Sequence, residues 1–342
     1  MNKYDVIIIG GGPAGLSCAT TLARGGVKVM LLERKKNIGR KVCAGGITWH
    51  GLIKQVPENL IQRTFSEQHI YSNWQKICFR KQDPIIATVN REKLGQWMME
   101  EAVKEGAHIR TGCYVKNISG QSLTATGENG NTFTLQFDHL IGADGSTSLV
   151  RRHLAIPTTR LGVGINYQIE SNYEHMEWHL NTALFGSGYG WIFPHRETVS
   201  IGAYATRGTM NPDSLKRNLI DWAKTRDFAL ENYSAKAEFI NFDYRGFEFG
   251  STWLVGDAAG LASGLTGEGI NPAIISGEEV AKKIITPLHP TEHLARMIKK
   301  HQKHTKLVDL ASRSKPLCTM LMEALVLMLR LNMVDFQKEL SM

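Results

Sequence analysis

A glycine-rich turn near the start of the chain constrains the fold more than any other feature. The turn, Gly-Gly-Gly-Pro-Ala-Gly at residues 10–15, follows a short apolar run at 4–9 and precedes a helix-forming stretch at 13–24. In such a strand–turn–helix unit a G-x-G-x-x-G pattern permits the tight turn, lets a pyrophosphate approach the backbone, and lets helix and strand pack closely. The helix N-terminus then faces the phosphate charge. The residues that we expect to hold a dinucleotide here are Gly10, Gly12, Ala14 and Gly15.

An acidic residue stands where the second strand of this unit should end. Residues 27–32 form a second apolar run, and Glu33 follows it directly, about 20 residues beyond the glycines. A carboxylate in this position binds both hydroxyls of an adenosine ribose and repels a 2′-phosphate. We therefore expect Glu33 and its neighbour Arg34 at the adenosine end of the ligand. This disfavours NADP but leaves NAD and FAD open.

The chain alternates between two kinds of segment, which predicts two domains. Its 342 residues suffice for two domains of ordinary size. The βαβ opening indicates a parallel sheet covered by helices, whereas alternating strands dominate between residues 157 and 250. The predicted elements of that second region are strands at 162–170, 176–184, 189–194 and 198–205 and a helix at 213–226. We expect a discontinuous Rossmann-like α/β domain (1–75, 88–155 and 250–290), an inserted antiparallel-sheet substrate domain (156–249) and a helical C-terminal segment (291–342).

Composition and charge exclude several classes of protein. Apolar residues make up 42% of the chain and charged residues 21%, which excludes a disordered chain. Five cysteines are too few, and odd in number, for a disulfide scaffold, which favours a reducing, cytoplasmic setting. We expect no secretory signal and no transmembrane helix, because the first apolar run breaks at glycine and no uncharged apolar run reaches about 18 residues. The formal charge of +8 favours anionic partners and gives no argument for nucleic acid.

Three later segments resemble cofactor-binding segments of group A flavoenzymes. Gly-Ala-Asp-Gly-Ser at 142–146 resembles their Asp-Gly segment, although a turn-forming role for Asp144 stays open. Gly-Asp-Ala-Ala-Gly at 256–260 resembles their second FAD fingerprint, which implies that Asp257 binds a ribityl hydroxyl. The loop at 265–271 resembles the one that points a helix N-terminus at the flavin ring, where free N–H groups stabilise the negative charge of reduced flavin. The loop residues implied as contacts are Gly267, Gly269 and Ile270.

Together these segments resemble the p-hydroxybenzoate-hydroxylase-type FAD fold, and within it the chain is similar to the geranylgeranyl reductase family. Lys-Val-Cys-Ala-Gly-Gly at 41–46 resembles the family's Cys-Gly-Gly loop. Tyr-Gly-Trp-Ile-Phe-Pro at 189–194 resembles its Y-x-W-x-F-P motif. Arg91 opens a helix where the family keeps an arginine near FAD, and Val115 matches a position whose backbone meets the adenine. The resemblance covers the chain from residue 4 to about 285.

The resemblance implies FAD as the cofactor and reduction of C=C bonds in an apolar, prenyl-like substrate by hydride from reduced flavin N5. It places Cys43, Ala44 and Gly45 beside the flavin. Tyr189 and Trp191 alternate on one strand and so share a face. There they form either an aromatic wall for an elongated substrate or ordinary core. Cys43 is either a redox or acid group or a small buried residue, and we list it with Tyr189 and Trp191 as a candidate catalytic residue.

Three departures from the family pattern bear on the substrate. Ala44 separates Cys43 from Gly45, Glu268 stands where glycine is usual, and the chain is short for archaeal prenyl reductases. They leave two alternatives open, namely a flavin monooxygenase or halogenase that uses O2 and a non-catalytic flavin- and lipid-binding protein. The electron donor also stays open between NAD(P)H, a ferredoxin and a quinol, because no second nucleotide fingerprint is present.

The histidines give no sign of a metal site. His175 and His179 lie in a predicted strand and lack the spacing of ligands, so we expect no metal there. His301 and His304 lie on a basic helix, where we expect them to face solvent.

The C-terminal segment combines basic and apolar stretches. Basic residues are dense at 296–315, and the following stretch, 317–333, is strongly apolar but interrupted by Glu323 and Arg330. Such a pair of stretches suits a helix lying on the inner face of an anionic membrane. The alternatives are a final helix packed over the core and a dimer contact.

Overall fold

The computed structural model describes residues 2–39, 43–48 and 56–335. Its helices are α1 (Pro13–Arg24), α2 (Arg91–Lys104), α3 (Leu149–His153), α4 (Thr182–Phe185), α5 (Pro212–Lys224), α6 (Gly256–Ala259), α7 (Ile270–Ile285), α8 (Glu292–Ala311) and α9 (Lys315–Arg330). The strands of the first part are β1 (Asn2–Ile9), β2 (Val29–Leu32), β3 (Gly46–Thr48), β4 (Ile61–Phe65), β5 (Glu67–Ser72), β6 (Lys76–Arg80), β7 (Ile86–Val89), β8 (His108–Arg110) and β9 (Tyr114–Ser119). Those of the second part are β10 (Ser122–Thr126), β11 (Thr132–Gly142), β12 (Leu161–Glu170), β13 (Glu177–Leu180), β14 (Gly188–Pro194), β15 (Thr198–Thr206), β16 (Lys236–Asn241), β17 (Glu248–Phe249) and β18 (Thr252–Leu254).

The first sheet is built around parallel strands, as the βαβ opening predicts. Its centre consists of five mutually parallel strands in the order β18-β11-β1-β2-β8. Three more strands extend the sheet by antiparallel pairing: β17 pairs with β18, β10 with β11, and β9 with β10. Residues 6–9 of β1 and all of β2 are buried, as expected for a parallel sheet covered on both faces. Helices α1 and α7 pack so closely that a Cβ on Gly277 would meet the Ala14 carbonyl oxygen.

The second sheet has seven strands in the order β16-β12-β15-β14-β13-β5-β6. Neighbouring strands are antiparallel except β13 and β5, which are parallel. Leu215, Leu219 and Trp222 of helix α5 are buried in the core that this sheet forms with the helix. Strands β5 and β6 precede the predicted insert at 156–249, so the sheet is larger than that insert. The domain boundaries themselves stay a prediction. Strands β3, β7 and β4 form a third, small sheet.

One predicted strand is shorter than its pattern suggests. Alternation predicts a single strand at 176–184, but β13 ends at Leu180 and helix α4 begins at Thr182. The cause is Asn181, whose side chain accepts hydrogen bonds from the N–H groups of Ala183 and Leu184 and so caps a helix. The prediction was wrong for the second half of this range.

The C-terminal helices correct another prediction. His301 and His304 are 1% and 4% exposed, so they do not face solvent. His301 Nε2 lies 3.1 Å from the Ala262 carbonyl oxygen, and His304 Nδ1 lies 3.1 Å from Ser263 Oγ. Both imidazoles therefore pack helix α8 against the loop that precedes α7. Within the described residues, no helix combines the length and apolarity needed to span a bilayer.

Candidate active site

A cleft of about 390 Å³ runs from the carboxyl ends of β1, β2 and β11 to a face of the second sheet. The carboxyl edge of a parallel sheet is where such folds bind ligands. The predicted site residues that line it are Gly10, Gly12, Ala14, Glu33, Arg34, Cys43, Ala44, Arg91, Val115, Asp144, Tyr189, Trp191, Asp257, Gly267, Gly269 and Ile270. The predicted site residues Gly15 and Gly45 do not line it. Lys41 and Val42 of the predicted loop lie outside the described residues.

Close backbone packing shapes the glycine turn. Gly10 has a φ of +112°, which disfavours any residue with a Cβ, and a Cβ here would also meet the Ala143 carbonyl. A Cβ on Gly15 would overlap the Gly10 carbonyl oxygen, so Gly15 lets helix and strand pack closely. At Gly12, in contrast, the Cβ position has no other described atom within 4 Å. The turn is thus an open cradle at a helix N-terminus, which fits a pyrophosphate.

Backbone N–H groups hold the Glu33 carboxylate at the edge of the cleft. Its Oε2 accepts a hydrogen bond from the Gly11 N–H at 2.6 Å, and its Oε1 accepts one from the Lys35 N–H at 2.8 Å. Each oxygen keeps a second lone pair for a ligand hydroxyl. This geometry fits the predicted role of Glu33 at an adenosine ribose.

The buried atoms Nη1 of Arg91 and Oδ1 of Asp144 belong to residues that line the cleft, and they have no hydrogen-bond partner among the described residues. The other oxygen of Asp144 accepts hydrogen bonds from the N–H groups of Leu149 at 2.6 Å and Val150 at 3.3 Å. Burial raises the pKa of Asp144 and lowers the pKa of Arg91. Because buried polar atoms nearly always have a partner, these two atoms fit a ligand that carries both anionic groups and hydroxyls.

The segments 142–146 and 256–270 meet beside the turn. Ser146 Oγ donates a hydrogen bond to Asp257 Oδ2 at 3.2 Å. Gly269 directly precedes helix α7, and its Cβ position lies 3.3 Å from Asp257 Oδ1. The structure therefore brings the three predicted cofactor segments together and presents the N-terminus of the 16-residue helix α7 to the cleft.

The other end of the cleft is aromatic. Tyr189 and Trp191 share a face of β14, as the alternation predicts, and both are less than a tenth exposed. The Tyr189 hydroxyl donates a hydrogen bond to the Thr266 carbonyl, which ties the second sheet to the loop at 265–271. Burial raises the pKa of this hydroxyl, so it stays protonated.

A series of hydrogen bonds links this aromatic end to Cys43. Trp191 Nε1 donates to Ser200 Oγ at 3.0 Å, and Ser200 Oγ donates to Asn166 Oδ1 at 2.7 Å. The Asn166 side-chain amide then donates to the Cys43 carbonyl at 3.4 Å. The Gly45 N–H donates to Cys43 Sγ at 3.3 Å. These contacts fix the Trp191 ring and the Cys43 thiol relative to each other.

Sequence reasoning missed part of the aromatic wall. Trp178, Phe193 and Tyr204 also line the cleft. The Tyr189 ring centroid lies 5.6 Å from that of Trp178 and 5.6 Å from that of Tyr204. Phe193 continues the alternation of Tyr189 and Trp191, so that pattern could have found it. Tyr204 lies opposite Tyr189 through the register of β14 and β15, for which the sequence has no local signal.

Glu268, which stands where the family usually has glycine, also lines the cleft. Thr48 Oγ1 donates a hydrogen bond to Glu268 Oε1 at 3.4 Å, which joins the loop at 265–271 to strand β3. Glu268 thus places a carboxylate in the lining of the cleft.

Known proteins share this fold and its cofactor-binding segment. A family model described as FAD binding domain matches residues 3–166. The geranylgeranyl diphosphate reductase of Rhodobacter capsulatus is 29% identical over 303 residues, which cover 82% of this chain and 74% of that protein. The digeranylgeranylglycerophospholipid reductase of Methanosarcina acetivorans is 27% identical over 308 residues, which cover 80% and 73%. A solved geranylgeranyl bacteriochlorophyll reductase-like protein of Thermoplasma acidophilum superposes with a TM-score of 0.74 at 22% identity, over 90% of this chain and 83% of that one. The chain is therefore similar to geranylgeranyl reductases in sequence and in fold.

The chain is an FAD-dependent oxidoreductase. This confirms the predicted cofactor, and the structure confirms the Rossmann-like α/β fold with an antiparallel second sheet and C-terminal helices. The roles of individual residues of this geranylgeranyl reductase-like site stay predictions.

Proposed function

We propose that this oxidoreductase reduces C=C bonds of a prenyl-type substrate, whose apolar chain lies along the aromatic end of the cleft. The observation that supports this most is the continuity of that cleft. Its glycine-lined end fits a dinucleotide, and its other end is a wall of tryptophan, tyrosine and phenylalanine rings. Two similar proteins are named geranylgeranyl diphosphate reductase and digeranylgeranylglycerophospholipid reductase.

Both backbone groups and side chains of the cleft would bind FAD. Gly10, Gly12, Ala14 and Gly15 would form the pyrophosphate cradle, with Glu33 and Arg34 at the ribose and Val115 at the adenine. The buried Arg91 Nη1 and Asp144 Oδ1 would each gain a ligand partner, and Asp257 would accept from a ribityl hydroxyl. Gly267, Gly269 and Ile270 would present the N–H groups of α7 to the flavin ring. Bound and reduced, FAD supplies the hydride.

The aromatic end would keep water from the reacting bond. Isolated alkenes accept hydride poorly, so the bond must be held close to its donor in a dry site. Tyr189 and Trp191 are each fixed by a hydrogen bond, and both are buried. A rigid, apolar wall of this kind positions a chain that has no polar groups of its own.

Cys43 would supply the proton that completes the reduction. Its sulfur accepts a hydrogen bond from the Gly45 N–H and lines the cleft beside Ala44. The hydride adds to one alkene carbon, the Cys43 thiol gives its proton to the other, and solvent reprotonates the thiolate. Tyr189 is less suited to this step, because its hydroxyl proton is engaged by the Thr266 carbonyl.

An anaerobic acceptor experiment tests the proposal. The purified flavoprotein is photoreduced and mixed with prenyl diphosphates, prenylated glycerolipids and aromatic acceptors, and flavin reoxidation is followed by absorbance. We expect prenyl acceptors alone to reoxidise the flavin. Rapid NAD(P)H consumption with O2 uptake and an oxygenated or halogenated aromatic product would instead establish a monooxygenase or halogenase. Reoxidation by none of the acceptors, and none by O2, would mean a non-catalytic flavin-binding protein.

The electron donor can be identified in the reductive half-reaction. NADH, NADPH, a reduced ferredoxin and a quinol are each mixed anaerobically with the oxidised protein. We propose that the donor binds transiently, because the one dinucleotide motif is assigned to FAD. Reduction by one of the four at a rate that supports turnover would identify the donor.

We further propose that helix α9 lies on the cytoplasmic surface of a membrane. Its solvent-facing residues include Pro316, Met320, Ala324 and Leu327, and the following Leu331 is 58% exposed. Such an apolar face is unusual on a surface helix. Exposed Arg296, Lys299, Lys303 and Lys306 form a basic stripe on the preceding helix α8. An apolar face on one helix and a basic stripe on the helix before it suit anionic lipid, and such binding would place the protein where prenyl lipids reside.

Vesicle flotation tests the membrane contact. Wild-type protein is expected to float with vesicles of phosphatidylcholine and phosphatidylglycerol, and less with phosphatidylcholine alone. Leu327→Glu should abolish flotation. Leu288→Glu is the matched control, since Leu288 is 94% exposed and lies outside α9. Unchanged flotation of Leu327→Glu, or a wild-type dimer in solution that this change dissociates, would contradict a lipid contact.

A further inference from the structure

A cluster of metal-ligating side chains lies on the β5–β6 hairpin, and none of its members lines the cleft. Cys78 Sγ lies 3.8 Å from Glu67 Oε2 and 3.9 Å from His69 Nε2, and Glu67 Oε2 lies 4.0 Å from His69 Nε2. The three atoms therefore form a nearly equilateral triangle. Nothing in the sequence pattern singles out this group, because Cys78 is nine residues from His69.

The register of the hairpin creates this triangle. Glu67 and His69 are two residues apart on β5, so their side chains share a face of the sheet. Cys78 pairs directly with His69 across the two antiparallel strands, and cross-strand partners project to the same face. Arg80 Nε donates to Glu67 Oε1 at 2.8 Å and so leaves Oε2 to face the other two ligands. Ligating carboxylates are commonly oriented by an outer partner of this kind.

The size of the triangle suits a tetrahedral ion. Zinc bound at the usual distances, about 2.3 Å to sulfur and about 2.0–2.2 Å to nitrogen and oxygen, separates its ligand atoms by about 3.4–3.6 Å. Side-chain movements of a few tenths of an ångström would shorten the observed distances between the three ligand atoms to these values. A thiolate with an imidazole and a carboxylate favours zinc, whereas magnesium and calcium prefer oxygen ligands alone.

We propose that Glu67, His69 and Cys78 bind one zinc ion, with water as the fourth ligand. The ion would cross-link β5 to the edge strand β6. The same hairpin holds helix α9, since Glu323 accepts hydrogen bonds from Ser72 Oγ and from the Trp74 N–H, and Arg330 donates to the Lys76 carbonyl. The site would therefore stabilise the edge of the sheet that supports α9, and it does not depend on the reaction in the cleft.

Equilibrium dialysis of the flavoprotein tests this site. After treatment with a chelator and its removal, the protein is dialysed against Zn2+, and bound metal is measured per chain. We expect one equivalent for wild type and loss of that equivalent in Cys78→Ser and in His69→Gln. Cys43→Ser and His153→Gln are the controls for a thiol in the cleft and an exposed imidazole elsewhere, and both should keep it. Equal binding by Cys78→Ser and wild type would mean adventitious zinc and overturn the proposal.

Cobalt(II) gives a second readout on the wild-type chain, which remains informative even where a variant fails to fold. Tetrahedral Co2+ with a thiolate ligand absorbs strongly at wavelengths longer than the bands of oxidised flavin. We expect these bands at one equivalent of Co2+ and their displacement by Zn2+. A rise in Tm on zinc addition should accompany them and be absent in a folded Cys78→Ser. Only the weak spectrum of hydrated Co2+ would overturn the proposal.

Discussion

The two ends of the cleft are built in different ways. At the dinucleotide end backbone packing shapes the glycine turn, because a Cβ on Gly10 or Gly15 would collide with a carbonyl group. At the aromatic end the wall is made by side chains that three strands bring together, β13, β14 and β15. At the first end Gly10 and Gly15 therefore leave no room for a larger side chain, whereas the Cβ position of Gly12 is open. The second can be altered residue by residue, which suits a surface that selects among substrates.

The largest effect is expected from a change in the backbone packing of the turn. Gly15→Ala adds a methyl group that overlaps the Gly10 carbonyl, which should cost about 3 kcal/mol of folding free energy and remove bound FAD. Urea unfolding and the flavin content of the purified protein measure this. Gly12→Ala is the matched control for folding, because its Cβ position is open in the described structure. It should keep the stability of the flavin-free protein while weakening FAD binding. Equal loss of stability in both variants would contradict the proposal that Gly15 is needed for packing, whereas Gly12 leaves space for the ligand.

The next effect is a pH dependence at the dinucleotide end. Burial lowers the pKa of His301 to about 4 from an ordinary value of 6.5, and this ring contacts the Ala262 carbonyl below the cleft. Between these two pH values the unfolded chain binds a proton that the folded chain does not. His301 should therefore contribute a loss of about 3 kcal/mol of folding stability as the pH drops from 6.5 to 4. Urea unfolding of the flavin-free protein across this range measures it.

A variant isolates the contribution of this histidine. His301→Gln should make the loss of stability between pH 6.5 and 4 smaller than in wild type, whatever it does to stability at neutral pH. His153→Gln, which removes an exposed imidazole, should leave the slope as in wild type. A slope that is the same in all three proteins would rule His301 out as its source.

A third test concerns the junction of the two ends. Cys43→Ala removes the proposed proton donor, so kcat with a prenyl acceptor should fall about 100-fold. Flavin affinity should change little, because the Asn166 amide donates to the backbone carbonyl of residue 43, which the substitution keeps. Steady-state kinetics together with FAD titration separate the two quantities. Full activity of the Cys43→Ala protein would assign the proton to another group.

The smallest effect is expected at the aromatic wall. Trp191→Leu removes a ring and its hydrogen bond to Ser200, and kcat/KM for a detergent-dispersed prenyl acceptor should fall about tenfold. FAD affinity should stay as in wild type. Trp74→Leu is the matched control, because Trp74 is 74% exposed. A loss of FAD in Trp191→Leu would show that the two ends are not separable.

The same contrast explains how much could be predicted from the sequence. The turn at 10–15, Glu33 and Asp257 follow from local motifs, because a tight turn and a helix N-terminus have requirements that a few neighbouring residues reveal. Trp178 and Tyr204 reach the cleft only through strand register, and β5 joins the second sheet by a parallel pairing with β13 that no local pattern encodes. Such long-range pairing is decided by tertiary packing, so the sequence near each strand carries no sign of it.

The error at His301 and His304 has a different cause. The basic residues of helix α8 favoured a solvated helix, but the buried residues of its inner face recur at helical spacing. They are Leu294, Met297, His301, His304 and Val308. This spacing of three and four residues is itself the signal for a buried stripe. It shows that periodicity is a better guide to the burial of a histidine than the charge of the helix around it.

A single-turnover experiment tests the central claim most directly. Anaerobically photoreduced protein is mixed with less than one equivalent of a geranylgeranyl acceptor, and flavin absorbance and product mass are recorded on the same sample. The account predicts that each flavin reoxidised yields one product heavier by two hydrogen atoms, and that Trp191→Leu slows this reaction without loss of FAD. Reduced flavin that persists beside unchanged acceptor would contradict it.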